Sequence, residues 1–165
     1  MAKSGGLQIN QDLEFQRREW TMQHVGWWLL TSFVAAAAAG LFGGGPLSEA
    51  RVGDASRLEV EYERFTRVGS HTRIVLRGRT DRHEPLDVAF ERSYFEGFRL
   101  ERVLPEPESV RFAGAEVTLR FRPDVSQDGG YTVIVDLEPR AGGHRRAWVR
   151  ATGAATLSYR QFAYF

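Results

Sequence analysis

The chain has 165 residues, room for one medium domain and an appendage, and its 22 basic and 21 acidic residues leave a net charge of only +1. A nucleic-acid binder usually shows a strong basic excess, so no nucleic-acid partner is expected. Cysteine is absent, which excludes disulfides, thiolate zinc sites, cysteine-ligated iron–sulfur clusters and covalent c-type haem.

Residues 1–19 read as a short N-terminal segment. Asn10 or Asp12 can cap a helix there, with Glu14 in its first turn, where the helix dipole favours an acid. Leu13, Trp20 and Trp27 recur every seven residues with His24 between them, a possible seam against a partner. His24 is a weak candidate ligand for a metal, haem or chlorophyll-type pigment. The plainer reading is an interfacial histidine meeting headgroups or water, and no cofactor is expected.

Between Glu19 and Glu49 there is no Asp, Glu, Lys or Arg. A bilayer core of about 30 Å needs about 20 helical residues at about 1.5 Å each, so the run predicts a transmembrane helix over residues 20–45. Trp20, Trp27 and Trp28 cluster at its start, where indoles favour the membrane interface, and Arg17 and Arg18 flank it. Gly43-Gly44-Gly45-Pro46 marks the exit. Arg17-Arg18 also superficially resembles a twin-arginine export signal, but the expectation is that the segment is retained. Arg51 and Arg57 follow the span, so the positive-inside count is nearly tied, and Lys3 tips it toward a cytoplasmic N-terminus. The expected location is the bacterial inner membrane, single-pass, with the C-terminal domain periplasmic.

Two series of small residues run along this helix at steps of four: Ser32, Ala36 and Gly40, and Ala35, Ala39 and Gly43. Residues four apart share a helix face, and small ones let a partner helix approach closely. Residues 46–56 read as a linker.

From residue 57 to 165, apolar residues alternate with polar ones in about eight short stretches. Leu58, Val60 and Tyr62 open the series, followed by Ile74 and Leu76, then Leu86, Val88 and Phe90, then Phe98 and Leu100. Val117, Leu119 and Phe121 continue it, then Val133, Val135 and Leu137, then Ala147, Val149 and Ala151, and finally Leu157 and Tyr159. Period-two alternation between turn signals predicts antiparallel strands and a mainly β domain, an immunoglobulin-like or similar sandwich, with a small barrel as the alternative. Arg92 to Gly97 reads as a short helical turn, and Gln161-Phe162-Ala163-Tyr164-Phe165 as a closing strand.

Catalytic signatures are missing. His71, His83 and His144 are dispersed, and there is neither a Gly-x-Ser-x-Gly turn nor a phosphate-cradling glycine loop. The expectation is no enzyme, no metal site and no catalytic residue. His144-Arg145-Arg146 is the densest basic cluster and reads as a solvated turn, with contact to anionic headgroups or an acidic partner as the sharper alternative.

Phe15-Gln16-Arg17-Arg18-Glu19-Trp20, Val25-Gly26-Trp27 and the run Gly40 to Ser48 resemble a group of small bacterial single-span proteins. The likeness extends more loosely to Tyr62-Glu63-Arg64-Phe65, Leu104-Pro105-Glu106-Pro107 and Gln161-Phe162-Ala163-Tyr164. It implies an inner-membrane protein with an exported β domain and carries no catalytic residues. The expected function is a non-catalytic accessory subunit of a larger membrane complex, respiratory or photosynthetic, with lipid and other membrane subunits as partners. The alternative is a membrane-anchored periplasmic binding module for a protein or small ligand.

Overall fold

A computed structural model describes residues 13–40, 45–80, 85–122 and 129–165. Among the described residues one helix, α1 (Leu13–Ala38), precedes eleven strands and a short second helix. By internal contacts the chain divides into two units, Met1–Ala38 and Ala39–Phe165.

Helix α1 has 26 residues. It stops at Ala38 because Gly40 takes a φ of +85°, the left-handed conformation that closes helices and that L side chains resist. A Cβ on Gly40 would also lie 2.4 Å from the Gly45 Cα, so only glycine fits this turn. Leu41 and Phe42, which the sequence counts into the expected span, lie outside the described residues. From Val25 to Ala38 the apolar helix is roughly 21 Å long at about 1.5 Å per residue, short of a bilayer core. Gln23 and His24 precede that stretch, and Thr31 and Ser32 interrupt it. Among the described residues no helix is long and apolar enough to cross a membrane, so the expected transmembrane helix is not reproduced.

The second unit is a two-sheet sandwich. Strands β1 (Glu49–Asp54), β2 (Leu58–Glu63), β4 (Thr72–Arg79), β9 (Gly130–Pro139) and β6 (Phe98–Leu104) form one sheet in the order β1-β2-β4-β9-β6. The other runs β3-β11-β10-β5-β8-β7, built from β3 (Phe65–Arg67), β11 (Leu157–Tyr164), β10 (Gly143–Ala151), β5 (Leu86–Glu91), β8 (Glu116–Phe121) and β7 (Ser109–Ala113). Every pairing is antiparallel except β3 with β11. Helix α2 (Arg92–Glu96) links β5 to β6, as the sequence suggests.

Alternation explains the core. Val60, Ile74, Leu76, Val133, Val135 and Leu137 from one sheet meet Val88, Phe90, Leu119, Phe121 and Val149 from the other, each under 3% exposed. Burying one such side chain is worth about 1.5–3 kcal/mol, so these rows define which face of each strand points inward. Tyr94 of α2 lies over the same core and donates a hydrogen bond to Gln161 Oε1, while Gln161 Nε2 donates to the Glu63 carbonyl. The chain's end forms strand β11, as expected.

The strands differ from the sequence expectation in two respects. The sheet begins at Glu49, inside the expected 46–56 linker, because Ser48 is buried and bonded to the Phe65 carbonyl and Ala50 pairs with Tyr62. Strands β3 and β7 are also additional to the eight predicted.

Candidate functional site

Among the described residues, α1 carries a long series of exposed large apolar side chains. Trp20, Met22, Val25, Trp27, Trp28, Leu29, Leu30, Phe33 and Val34 are all more than half exposed, with Trp28 at 72%. At about 100° per residue, positions 27, 28, 29 and 30 alone point around the whole circumference. A helix that is apolar on all sides suits an apolar surrounding, either lipid or other protein.

At its N-terminal end, Thr21 Oγ1 donates to the Arg17 carbonyl and His24 Nδ1 donates to the Trp20 carbonyl, both at 2.9 Å. The His24 ring stacks on Trp20 with centroids 3.9 Å apart. The bond to the Trp20 carbonyl satisfies one ring nitrogen, and among the described residues no group of three metal-ligating side chains forms. Arg17 and Arg18 are exposed on the same helix.

The small-residue series is shorter than its spacing suggests. Ser32, Ala35 and Ala36 lie on α1, with Ala36 half-buried, whereas Ala39 and Gly40 fall beyond its last residue. The Ala39 carbonyl accepts from the Leu47 backbone N–H, and Gly40 packs on Gly45, so both serve the exit turn and not a helix face. Gly43 lies outside the described residues.

On the sandwich, a second apolar feature sits at the free edge of the six-stranded sheet. Val110 and Phe112 of β7 pair with Leu119 and Val117 of β8, so they share the inward face with two buried residues. Yet Val110 is 47% and Phe112 67% exposed, so they are largely uncovered. Leu100 of β6, the edge of the other sheet, faces inward beside Leu137 and is likewise exposed. Unpaired, apolar edge strands are ready templates for another chain. Nothing in the period-two pattern distinguishes an uncovered edge position from a core position, so the sequence did not reveal this site.

An open groove of about 600 Å³ is lined by Ala55, Arg77, Gly78, Arg79, Pro105, Gly130, Tyr131 and Thr132. Burial pushes the Tyr131 hydroxyl up to about 12, and Arg77 is held by Glu61 at 2.5 Å. The lining offers hydrogen bonds but no activated nucleophile or base.

The described histidines stay apart. His71 Nδ1 donates to Glu101 Oε2 at 2.5 Å, and His144 stacks on Phe162 with centroids 4.7 Å apart. His83 lies outside the described residues. His144-Arg145-Arg146 does not form the expected turn: it starts strand β10, and alternation sends its members to different faces.

No family model matches the chain, and no curated protein does. Among solved structures, the cohesin module from a family 33 glycoside hydrolase of Clostridium perfringens is similar at 14% identity and a TM-score of 0.41. The match covers 65% of this chain and 95% of that one. At this level the likeness carries no functional argument.

Proposed function

We propose that the chain is a non-catalytic accessory subunit of a bacterial membrane assembly, seated through α1 and touching its partners through both the helix and the β domain. The observation that carries this is the apolar surface of α1, exposed on every side over residues 27–30 and continued by Phe33 and Val34. Contiguous apolar surface of this kind marks an interaction site with protein or membrane. In this reading Trp20, Trp27 and Trp28 sit at headgroup level beside Arg17 and Arg18, on the cytoplasmic side. The apolar part of α1 is shorter than a bilayer core, so a neighbouring helix completes its apolar environment along Ser32, Ala35 and Ala36, and the β domain lies outside the membrane. The uncovered β7 edge, with Val110 and Phe112, supplies the contact of the β domain.

The test is fractionation of the full chain from its native cells. Replacing Leu30 and Phe33 together by arginine should move the protein from the membrane fraction to the soluble one. A variant that stays wholly in the membrane fraction, or a parent chain found wholly in the soluble one, would overturn the proposal.

A further inference from the structure

Strands β3, β11 and β10 lie side by side at one end of the six-stranded sheet. Together they hold five arginines and no aspartate or glutamate. Ala147, Val149, Ala151, Tyr159 and Ala163 are buried, so the residues between them face away from the core. That outer face is built in rows. Tyr164 stands beside Arg67, Phe162 lies between Phe65 and His144, Arg160 is opposite Arg146, and Ser158 is opposite Trp148. Arg145 has the opposite sense, packed against Gly97, so it does not belong to this face.

Several arginines elsewhere on the two sheets are paired with acids. Arg73 and Arg102 meet Asp136, Arg77 meets Glu61 and Arg120 meets Asp87, and on β10 itself Arg150 meets Glu116. No ion pair joins Arg67, Arg146 or Arg160 to an acid among the described residues. Arg146 and Arg160 face each other directly across the ladder, an arrangement that repels and destabilises a sheet. Around them lie the rings of Phe65, Phe162, Tyr164 and Trp148, with the Arg150 guanidinium 5.8 Å from the Trp148 ring centre. A like-charged pair set among aromatics, on strands without an acid of their own, is arranged for an anion brought from outside.

We infer that this face docks on the phosphate-bearing headgroups of an anionic phospholipid surface. Arginine forks match phosphate oxygens in pairs, and two opposed forks about 5 Å apart at Cβ suit a headgroup phosphate. Tryptophan and tyrosine rings belong at a bilayer's polar boundary, where basic residues close to a membrane gain affinity from anionic lipid. In sequence, α1 ends at Ala38 and β1 begins at Glu49. The inference rests on the membrane seating proposed above. A single-stranded nucleic acid is a poorer occupant, because it needs a charged groove that follows several phosphates, and here Arg150 on β10 and Arg120 on β8 are already paired with Glu116 and Asp87.

The chain has no cysteine, so Ser158→Cys gives a single labelling position on the exposed face. The labelled full chain, carrying a polarity-sensitive dye, is mixed with phosphatidylcholine vesicles with and without phosphatidylglycerol, and flotation is measured alongside emission. The expected result is a blue shift only on the phosphatidylglycerol vesicles, weakened by added salt and lost in Arg146→Glu/Arg160→Glu, while flotation on both vesicle types is unchanged. The single variant Arg160→Glu serves as the folding control: it should lose the shift yet melt no lower than the parent, which a purely structural role would not produce. No shift on anionic vesicles, or a shift that survives charge reversal, overturns the inference. A shift given equally by inorganic phosphate or by a single-stranded oligonucleotide assigns the face to that anion instead and also overturns it. Absence of flotation on either vesicle type would instead contradict the seating of α1, so the two failures are distinguishable.

Discussion

Arg146 on β10 and Arg160 on β11 stand directly opposite each other, on strands that contain no acid. Like charges at directly opposed positions cost roughly 0.2–1 kcal/mol, and an opposite pair gains a similar amount. Arg160→Glu should therefore stabilise the fold and raise the melting temperature by a few degrees, at about 2–4 °C per kcal/mol for a chain of this size. Thermal unfolding followed by circular dichroism checks this. A drop in melting temperature would mean that the two arginines are held by something other than each other's vicinity.

Asp136 carries the opposite arrangement, one carboxylate held by two cations. Its oxygens accept from Arg73 Nε at 2.7 Å and from Arg102 Nη2 at 2.9 Å. The Arg73 hydrogen bond holds the carboxyl below its ordinary value of 3.8, burial opposes this, and Arg102 adds to the lowering. A depressed folded-state value contributes stability that is present above pH 3.8 and lost as pH falls through the folded value. Asp136→Asn should flatten the acid limb of the stability curve below about pH 4 and cost about 1 kcal/mol near neutrality, kept small because both arginines are more than half exposed. Denaturant titrations at several pH values would show it, and an unchanged acid limb would rule the pair out as its source.

Phe112 and Leu137 both face inward, but only Leu137 is covered. Leu137→Ala should cost about 2–5 kcal/mol by opening a cavity between the sheets. Phe112→Ser should change stability by less than about 0.5 kcal/mol while reducing the recovery of partner proteins with the chain. Urea midpoints and pull-down yields measured on the same two variants separate core from contact. Equal destabilisation by both would show that the β7 edge is covered within the chain itself.

Much of the sandwich is legible in the sequence because burial imposes a period of two. Val133, Val135 and Leu137, or Val117, Leu119 and Phe121, announce both the strand and its inward face, and the structure buries all six. Strand β3 has three residues and is held by its parallel pairing with β11, a contact distant in sequence that no local pattern encodes. Strand β1 offers only Ala50 and Val52 as inward residues, too little alternation to register. The end of α1 was misplaced for a different reason: hydropathy continues through Leu41 and Phe42, but the backbone turns at Gly40, where a positive φ overrides composition. The aromatic and basic face was half visible. His144-Arg145-Arg146 is visible in the sequence as a charge cluster, but its link to Arg160 and Phe162 exists only through the β10–β11 register.

The mass of the particle that the full chain forms when extracted from its native membranes in mild detergent tests the central claim most directly. The account predicts a complex well above the chain's own 18.7 kDa, containing other membrane subunits and losing them when Leu30 and Phe33 are replaced by arginine. A lone, monodisperse monomer that stays in solution without detergent would contradict it.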